Sequence, residues 1–430
     1  MAVVIGIRQE DKSPWEARAP LAPEEVEELT ERHGVRFQVQ HSPYRVFGAQ
    51  QYRNAGAEVV SDLDACPVIL GVKEIPAGKL APGKTYLYFS HTIKGQPDNM
   101  PALRRLIELG CTLIDYERIA DNEGRRLVFF GRFAGLAGMI DSLRALGRRL
   151  QSEAIANPFA RVRPAYEYGD LDEVRHHFAL IGEEIREAGL PAEIQPFVCG
   201  FAGYGQVSRG AREIFDLLPV TRVRPDELAQ LPRRGDTCFA TVFDERHLVE
   251  PVEASRPFEL RDYYDHPERY RAALFPYLKH LTVFINAIYW DPRYPRFLTR
   301  EQLRELYEGQ PRLRVIGDIT CDIDGSLACT VRATTPDNPV YVYDPFSGEA
   351  TDGFRGRGPV VLAVDFLPCE LPVDASRHFS KSLAPFIPAL DAADLSAPLE
   401  ASGLPAELAR AVIVHNGELT EPYRYLEKHL

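Results

Sequence analysis

Three apolar runs in the first third of the chain end in residues able to move protons. Lys73 and Glu74 close PVILGVKE (67–74), and His91 stands near the end of KTYLYFSHT (84–92). Asp115 and Glu117 end CTLIDYER (111–118), with Arg125 and Arg126 shortly after. Burial and cationic neighbours lower a lysine pKa, and histidine titrates near neutrality, so these groups brought together suit proton transfer. Taken one at a time, charges at strand ends are ordinarily just solvated, and only the joint arrangement points to chemistry. Arg18, in the loop EARAPLAP, suits a carboxylate clamp or a plain surface position equally.

A second pattern lies at GYGQVS. Gly203, Gly205 and Ser208, with Gln206 inside the turn, fit G-x-G-x-x-S, and Gly210 follows one turn into the next helix. The first glycine permits a tight turn. The second lets the backbone approach a pyrophosphate resting on the helix N-terminus. The alternative is a tight strand–helix turn with no ligand. About 20 residues on, an acid at the end of the next strand would hold an unphosphorylated ribose. VTRVRPDEL places Arg222 and Arg224 there instead, with Asp226 beyond Pro225. Guanidinium groups suit a 2′-phosphate, so NADPH/NADP+ is expected over NADH/NAD+; two solvated arginines are the competing reading.

The elements that must position these residues alternate between strands and helices. Ala2–Ile7 reads as a first strand, and Pro23 with Glu24 and Glu25 opens a helix that Gly34 stops. Phe37 and Val39 alternate in a second strand, and Asp98–Leu109 has helical spacing. A glycine-rich helical pattern runs from Phe129 to about Gln151, followed by a proline-containing linker (157–168) and a helix from Leu171 that ends at Gly189. Further strands are expected at 197–201, 238–243, 280–290, 313–320 and 359–366. Two α/β units with parallel sheets follow, two Rossmann-like lobes with a cleft between them. Ligands sit beyond the carboxyl ends of parallel strands, so Lys73, His91 and Glu117 are expected to face Asp318 across that cleft.

The 430 residues are enough for two or three domains, and 45% apolar with 26% charged residues excludes a disordered or fibrous chain. A net charge of −12 argues against a nucleic-acid partner. No apolar run reaches the roughly 18 residues of a spanning helix, and the N-terminus lacks the basic region of a signal peptide, so no membrane association is expected. Seven scattered cysteines, none in a C-x-x-C pair, read as free thiols of a reducing cytosol. The histidines show no ligand spacing, and no metal is expected.

Longer motifs carry a resemblance. IRQEDKSPWEARAPLAPEEV, YLYFSHTIKGQ, LGCTLIDYERIADNEGRRLVFFGRFAGLAGMID, GYGQVSRGA, YYDHPERY, INAIYW, GDITCDIDGS and LPCELPVDASRHFSKSLAPF, in this order, resemble the lysine–2-oxoglutarate reductase family. These are the lysine-forming saccharopine dehydrogenases, including the reductase half of bifunctional aminoadipic semialdehyde synthase. The resemblance spans almost the whole chain and implies a stand-alone reductase related to alanine dehydrogenase and transhydrogenase. It implies a substrate lobe over residues 1–135, a nucleotide lobe over 136–369 and a segment 370–430 that returns to the first. It implies condensation of lysine with 2-oxoglutarate and reduction of the imine to saccharopine by a nicotinamide hydride. Lys73 and His91 match the acid/base groups, and Glu74 and Glu117 the carboxylates that tune them. Arg18, Gln96, Arg126 and Phe130 match substrate contacts, and Ile288, Tyr289 and Trp290 a cleft-lining segment. Arg125 matches a position near the cofactor, and Gly317, Asp318, Ile319 and Thr320 the loop beside the nicotinamide. A related reductase for another amine or oxo acid, or a silent nucleotide sensor, are the competing functions. Oligomeric state is left open.

Overall fold

The structure is a computed structural model describing Val3–Gly309 and Pro311–Leu430. Ala2, expected in the first strand, lies outside the described residues. The chain forms two compact units: one runs to Phe130 and resumes at Pro372–Leu430, and the other is Gly131–Leu371.

In the first unit six short strands, β1 (Val4–Ile7), β2 (Arg36–Gln40), β3 (Glu58–Val60), β4 (Val68–Leu70), β5 (Thr85–Tyr88) and β6 (Thr112–Asp115), are all parallel. Their spatial order is β6-β5-β4-β1-β2-β3. β4, β5 and β6 are buried on both faces, hence their unbroken apolar runs. The chain winds outward from β1 to β3 and then restarts at β4 on the other side of β1. That reversal opens a crevice beyond the carboxyl ends of β1 and β4.

The strands are shorter than the apolar runs that encode them. β4 stops at Leu70 because the backbone N–H groups of Val72 and Lys73 turn aside to the Glu10 carboxylate, at 2.8 and 2.9 Å. β5 stops at Tyr88 because the Ser90 N–H donates to Asp115, and His91 then takes a left-handed conformation with φ +48°. The residues singled out for proton transfer therefore sit just beyond the ladder, where side chains are not confined to sheet faces.

The second unit contains β7 (Phe197–Ala202), β8 (Val220–Arg222), β9 (Cys238–Phe243), β10 (Val249–Pro251), β11 (Tyr270–Ala272), β12 (Val283–Asn286), β13 (Val315–Asp318), β14 (Val340–Tyr343), β15 (Ala350–Asp352) and β16 (Val360–Leu362). Its sheet order is β15-β14-β16-β13-β12-β7-β9-β8; β14 and β15 are antiparallel at one edge, and β10 and β11 form a separate ribbon. Here the reversal falls between β7 and β12. The last strands of the chain, β17 (Val412–His415) and β18 (Glu418–Leu419), return to the first unit, where β17 pairs antiparallel with β6.

Within the second unit a long helix, Gly131–Ser152, crosses the helix Gln206–Phe215 at backbone contact. A Cβ on Gly135 would lie 1.9 Å from the Val207 carbonyl oxygen, and one on Gly210 would lie 2.0 Å from that of Arg132. The glycine richness expected to mean close packing thus serves helix against helix. Arg132 clamps the crossing with a bidentate pair to Glu213, at 2.9 and 2.7 Å. The crossing sets where the N-terminus of Gln206–Phe215 sits over the sheet. Gly210→Ala should therefore lower stability by roughly 1–3 kcal/mol, an overpacking cost that helix propensity favouring alanine cannot offset. Urea unfolding checks this, and an unchanged midpoint would refute the tight crossing.

Candidate active site and glycine-turn cavity

Beyond the carboxyl ends of β1, β4, β5 and β6 the first unit gathers Glu10, Glu16, Arg18, Lys73, Glu74, His91 and Asp115. Glu10 is buried, and burial raises its pKa against the pull of Arg8. Its two carboxylate oxygens fix the backbone of Lys73, so the lysine side chain leaves the end of β4 from a pinned base.

Arg18 and Glu16 are both buried and form a bidentate pair, Nε to Oε1 at 2.7 Å and Nη2 to Oε2 at 2.5 Å. Burial raises the Glu16 carboxyl, but the Arg18 charge and hydrogen bonds outweigh it and hold the group below its usual range. The Arg18 guanidinium also lies 4.2 Å from the centre of the Phe130 ring, which stacks on Phe379 at 4.5 Å. The loop carrying Arg18 is tied to the helix Pro372–Leu383 by two buried serines one turn apart. Ser376 Oγ accepts from the Ala19 N–H at 2.9 Å and Ser380 Oγ from the Ala22 N–H at 2.8 Å.

Lys73 is half-buried, and its pKa falls below the ordinary lysine value, first through burial and then through Arg18. Glu74 and Glu16 pull the other way without prevailing. A lysine in this setting yields its proton more readily than a solvated one.

Glu74 takes two partners on one oxygen: its Oε1 lies 2.6 Å from His91 Nδ1 and 2.8 Å from Lys12 Nζ. Burial works against ionisation, yet these bonds to His91 and Lys12 bring its pKa down to about 2. An ionised Glu74 favours a proton on His91 Nδ1 and leaves Nε2 outside the pair. His91 stacks along Phe89, and its left-handed backbone is held by Asn99 Nδ2, which donates to its carbonyl at 3.1 Å. Beneath it Asp115 is fully buried. Burial lifts its pKa to about 6, although Ser90 and the Glu117 N–H donate to it.

The remaining expected residues of this unit are placed more loosely. The Glu117 carboxylate pairs with Arg126 at 3.6 Å and, among the described residues, makes no hydrogen bond to Lys73 or His91. Glu117, Arg126, Arg118 and Arg410 line a polar cavity of about 480 Å³. Gln96 accepts from the Lys94 N–H at 3.0 Å within its own turn. Arg125 is exposed and paired with Asp121 and Glu123 in its own loop. Glu10, Glu16, Lys12, Phe379 and Arg410 went unread in the sequence. Glu10, Glu16 and Lys12 stand beside the singled-out Arg18 in the loop after β1, a position that could have flagged them.

In the second unit Gly203 has φ +88°, and a Cβ on it would meet Ile288 at 2.7 Å, so the turn demands glycine. Gly205 opens on empty space at the start of Gln206–Phe215, whose first N–H groups have no side-chain cap. Ser208 is buried at the third position of the pattern, and Gln206 is exposed. Gly203 and Gly205 line a cavity of about 330 Å³ together with Tyr204, Glu245, Tyr263, Tyr264, Ile288, Tyr289 and Trp290. Ile288, Tyr289 and Trp290, expected to line a substrate cleft, therefore share the glycine-turn cavity. A tight glycine turn, an uncapped helix start, flat aromatic walls and a carboxylate fit a dinucleotide.

One expectation needs correcting. Arg222 and Arg224 do not stand beside the glycine turn. They belong to β8 and the loop after it, at the sheet edge, and β9 lies between β8 and β7. Both are exposed and paired nearby, Arg222 with Asp216 at 2.6 Å and Arg224 with Asp226 at 3.0 Å. Asp318 ends β13. It is buried and accepts from Asn286, Thr320 and Thr330, a network that shapes its own loop. Gly317 precedes it in β13, Ile319 is buried, and Thr320 is half-buried.

Residues 6–137 match the alanine dehydrogenase/PNT N-terminal domain. The chain is 37% identical over 444 residues to alpha-aminoadipic semialdehyde synthase of Arabidopsis thaliana, covering 99% of this chain and 41% of that protein. The mitochondrial form of Rattus norvegicus is 35% identical over 99% of this chain and 48% of its own. The chain thus spans about half the length of these curated relatives. The NAD(+), L-lysine-forming saccharopine dehydrogenase of Candida glabrata is 27% identical over 92% of this chain and 94% of its own. Among solved structures, an L-alanine dehydrogenase superposes with a TM-score of 0.62 at 17% identity, covering 99% of both chains. The chain is a homologue of alpha-aminoadipic semialdehyde synthase and of lysine-forming saccharopine dehydrogenase, built on the alanine dehydrogenase fold.

Proposed function

We propose that this chain joins the ε-amine of lysine to the ketone carbon of 2-oxoglutarate and reduces the resulting imine to saccharopine, reversibly, in lysine metabolism. The observation that carries the reading is the convergence of Lys73, Glu74 and His91 beyond the ends of β4 and β5, with the Lys73 pKa lowered and Nδ1 of His91 on Glu74. Its homology to proteins of that chemistry supports the choice of substrates.

In this reading Lys73, readily neutral, accepts the proton of the substrate ammonium, so that the free amine attacks the ketone carbon. His91 Nε2 hands a proton to the departing hydroxyl of the carbinolamine, which leaves as water, and takes it back from attacking water in the reverse direction. Glu74 holds the His91 ring and its tautomer. Arg18 and Arg126 hold substrate carboxylates, with Gln96 beside them and Phe130 as an apolar wall; saccharopine, with three carboxylates, needs several such donors. The glycine turn at Gly203 and Gly205 holds the pyrophosphate of a nicotinamide nucleotide, whose reduced ring supplies the hydride. The seven cysteines, all free and buried, accord with a reducing compartment.

Nicotinamide oxidation with 2-oxoglutarate across a panel of amines tests the reading: lysine should be used, and shorter or N-blocked amines should not. Lys73→Met and His91→Gln should each lower the rate by roughly 10²–10⁴-fold with little change in nucleotide affinity. The double variant should fall short of the product of the two effects. Near-normal turnover in both single variants would remove them from the mechanism.

Glu74 also yields a pH dependence. Its folded-state pKa, about 2, lies below the ordinary carboxylate value. Its stabilisation is therefore complete above about pH 4.5 and is lost as pH falls towards 2. After allowance for solvent screening, Glu74→Gln should cost roughly 1–2 kcal/mol at pH 7 and about a quarter of that near pH 2.5. Denaturant unfolding at the two pH values measures the difference, and a gap that does not narrow in acid would contradict the pairing.

A further inference from the structure

The loop that carries His91 has little regular structure of its own. Between the end of β5 at Tyr88 and the helix that starts at Met100 it forms neither strand nor helix. Its first residues are fixed on Asp115, which accepts from the Ser90 N–H at 3.2 Å, and the Ser90 and Thr92 hydroxyls lie 2.7 Å apart. At its far end Asn99 reaches back to the His91 carbonyl at 3.1 Å. The middle, residues 93–95, turns on itself, with the Gly95 N–H donating to the Thr92 carbonyl at 2.8 Å. Backbone outside a ladder opens readily, so a tie from elsewhere in the chain weighs more here than within a sheet.

The C-terminal segment supplies such a tie. β17 runs antiparallel to β6, and β18 antiparallel to β17, so the chain leaves β18 at the carboxyl end of β6, where this loop lies. The residues Glu421–His429 form a 3-10 helix, in which side chains three apart eclipse one another, so Tyr423, Leu426 and His429 share one face. Tyr423 and Leu426 are buried and seat the segment. The Tyr423 hydroxyl donates to the Arg410 carbonyl and accepts from Arg118 Nε, both at 2.9 Å. From that seat two side chains touch the loop. The Tyr425 hydroxyl donates to the Ile93 carbonyl at 2.6 Å. The His429 ring lies so close to Gly95 that a Cβ there would sit 2.6 Å from it.

We infer that the segment Glu421–His429 is a strap that sets where its loop holds His91, with Tyr425 as a positioning residue acting through the Ile93 carbonyl. The inference rests on the proposed reductase reading, in which His91 passes a proton to the departing hydroxyl. Tyr425 takes no part in that transfer. Ile93 lies two residues beyond His91, so a shift of its carbonyl moves the imidazole as well. A displacement of about 1 Å at a reacting group is enough to cost up to about 100-fold in rate.

Tyr425→Phe removes the hydroxyl and keeps the ring, and the full chain is followed by amide exchange and by kinetics. Hydrogen exchange across residues 92–99 should quicken by about threefold or more, with the urea midpoint unchanged. Turnover with lysine, 2-oxoglutarate and a reduced nicotinamide nucleotide should fall about three- to tenfold, with nucleotide affinity unchanged. In a His91→Gln background the same substitution should alter the rate by less than about twofold, because a residue acting through His91 has nothing left to position. Arg424, paired with Glu421 at 3.3 Å on the same segment, is the control, and Arg424→Ala should change neither exchange nor rate. Unchanged exchange in Tyr425→Phe would overturn the inference and leave the reductase reading standing. So would an unchanged rate, or a rate loss of equal size in the His91→Gln background. An unaltered chain that oxidises no nucleotide with lysine and 2-oxoglutarate would overturn both.

Discussion

The first unit depends on keeping Lys73 and Arg18, two cations, in one partly dehydrated place. Burial and the Arg18 charge both disfavour a protonated Lys73, and so the lysine is ready to give up its proton. Such an arrangement is stable only if the arginine itself is fully compensated, because an unpaired buried cation costs several kcal/mol. Glu16 supplies that compensation with two hydrogen bonds, and Phe130 stacked on Phe379 covers the guanidinium face. The helix Pro372–Leu383, anchored through Ser376 and Ser380, is therefore part of the site's construction.

The same logic of strand ends recurs in both units. Each sheet reverses its winding direction once, and each reversal leaves a crevice beyond the carboxyl ends of two parallel strands. In the first unit a buried carboxylate, Glu10, occupies the backbone donors that the reversal exposes, and Lys73 projects from that point. In the second unit Gly203 leaves the corresponding place open, and aromatic residues wall it. One crevice is polar, with cations, carboxylates and a histidine. The other is largely apolar, with one carboxylate. The first suits amine and keto-acid chemistry, and the second suits flat rings and a ribose.

Much of this was legible in the sequence where one physical cause acted alone. The buried parallel strands read as apolar runs because both faces are covered. The glycine turn read correctly because strand, turn and helix are contiguous. Lys73, Glu74 and His91 read as a group because strand ends bring distant residues together. Long-range pairing was harder. Spacing alone placed Arg222 beside the glycine turn, but β8 is short and its exposed threonine and arginine mark an edge strand, whereas CFATVF is apolar but for Thr241, largely buried, and takes the place beside β7. The burial of the two strands held the answer that spacing missed. The network of Asn286, Thr320 and Thr330 around the Asp318 carboxylate was not legible, because it is assembled from separate segments. The pairing of Arg18 with Glu16, two residues apart, was within reach, but nothing local said that both would be buried.

The central claim is that the first unit's cluster makes an imine between lysine and 2-oxoglutarate for a nicotinamide hydride to reduce. Isotope transfer tests it most directly. The chain is incubated with lysine, 2-oxoglutarate and a reduced nicotinamide nucleotide carrying deuterium at the transferred position of C4, and the products are read by mass spectrometry and proton NMR. The account predicts a lysine-dependent product joined through the ε-nitrogen, with one deuterium on the carbon that was the ketone of 2-oxoglutarate. Deuterium found only in 2-hydroxyglutarate, or nucleotide oxidation that proceeds equally without lysine, would contradict it.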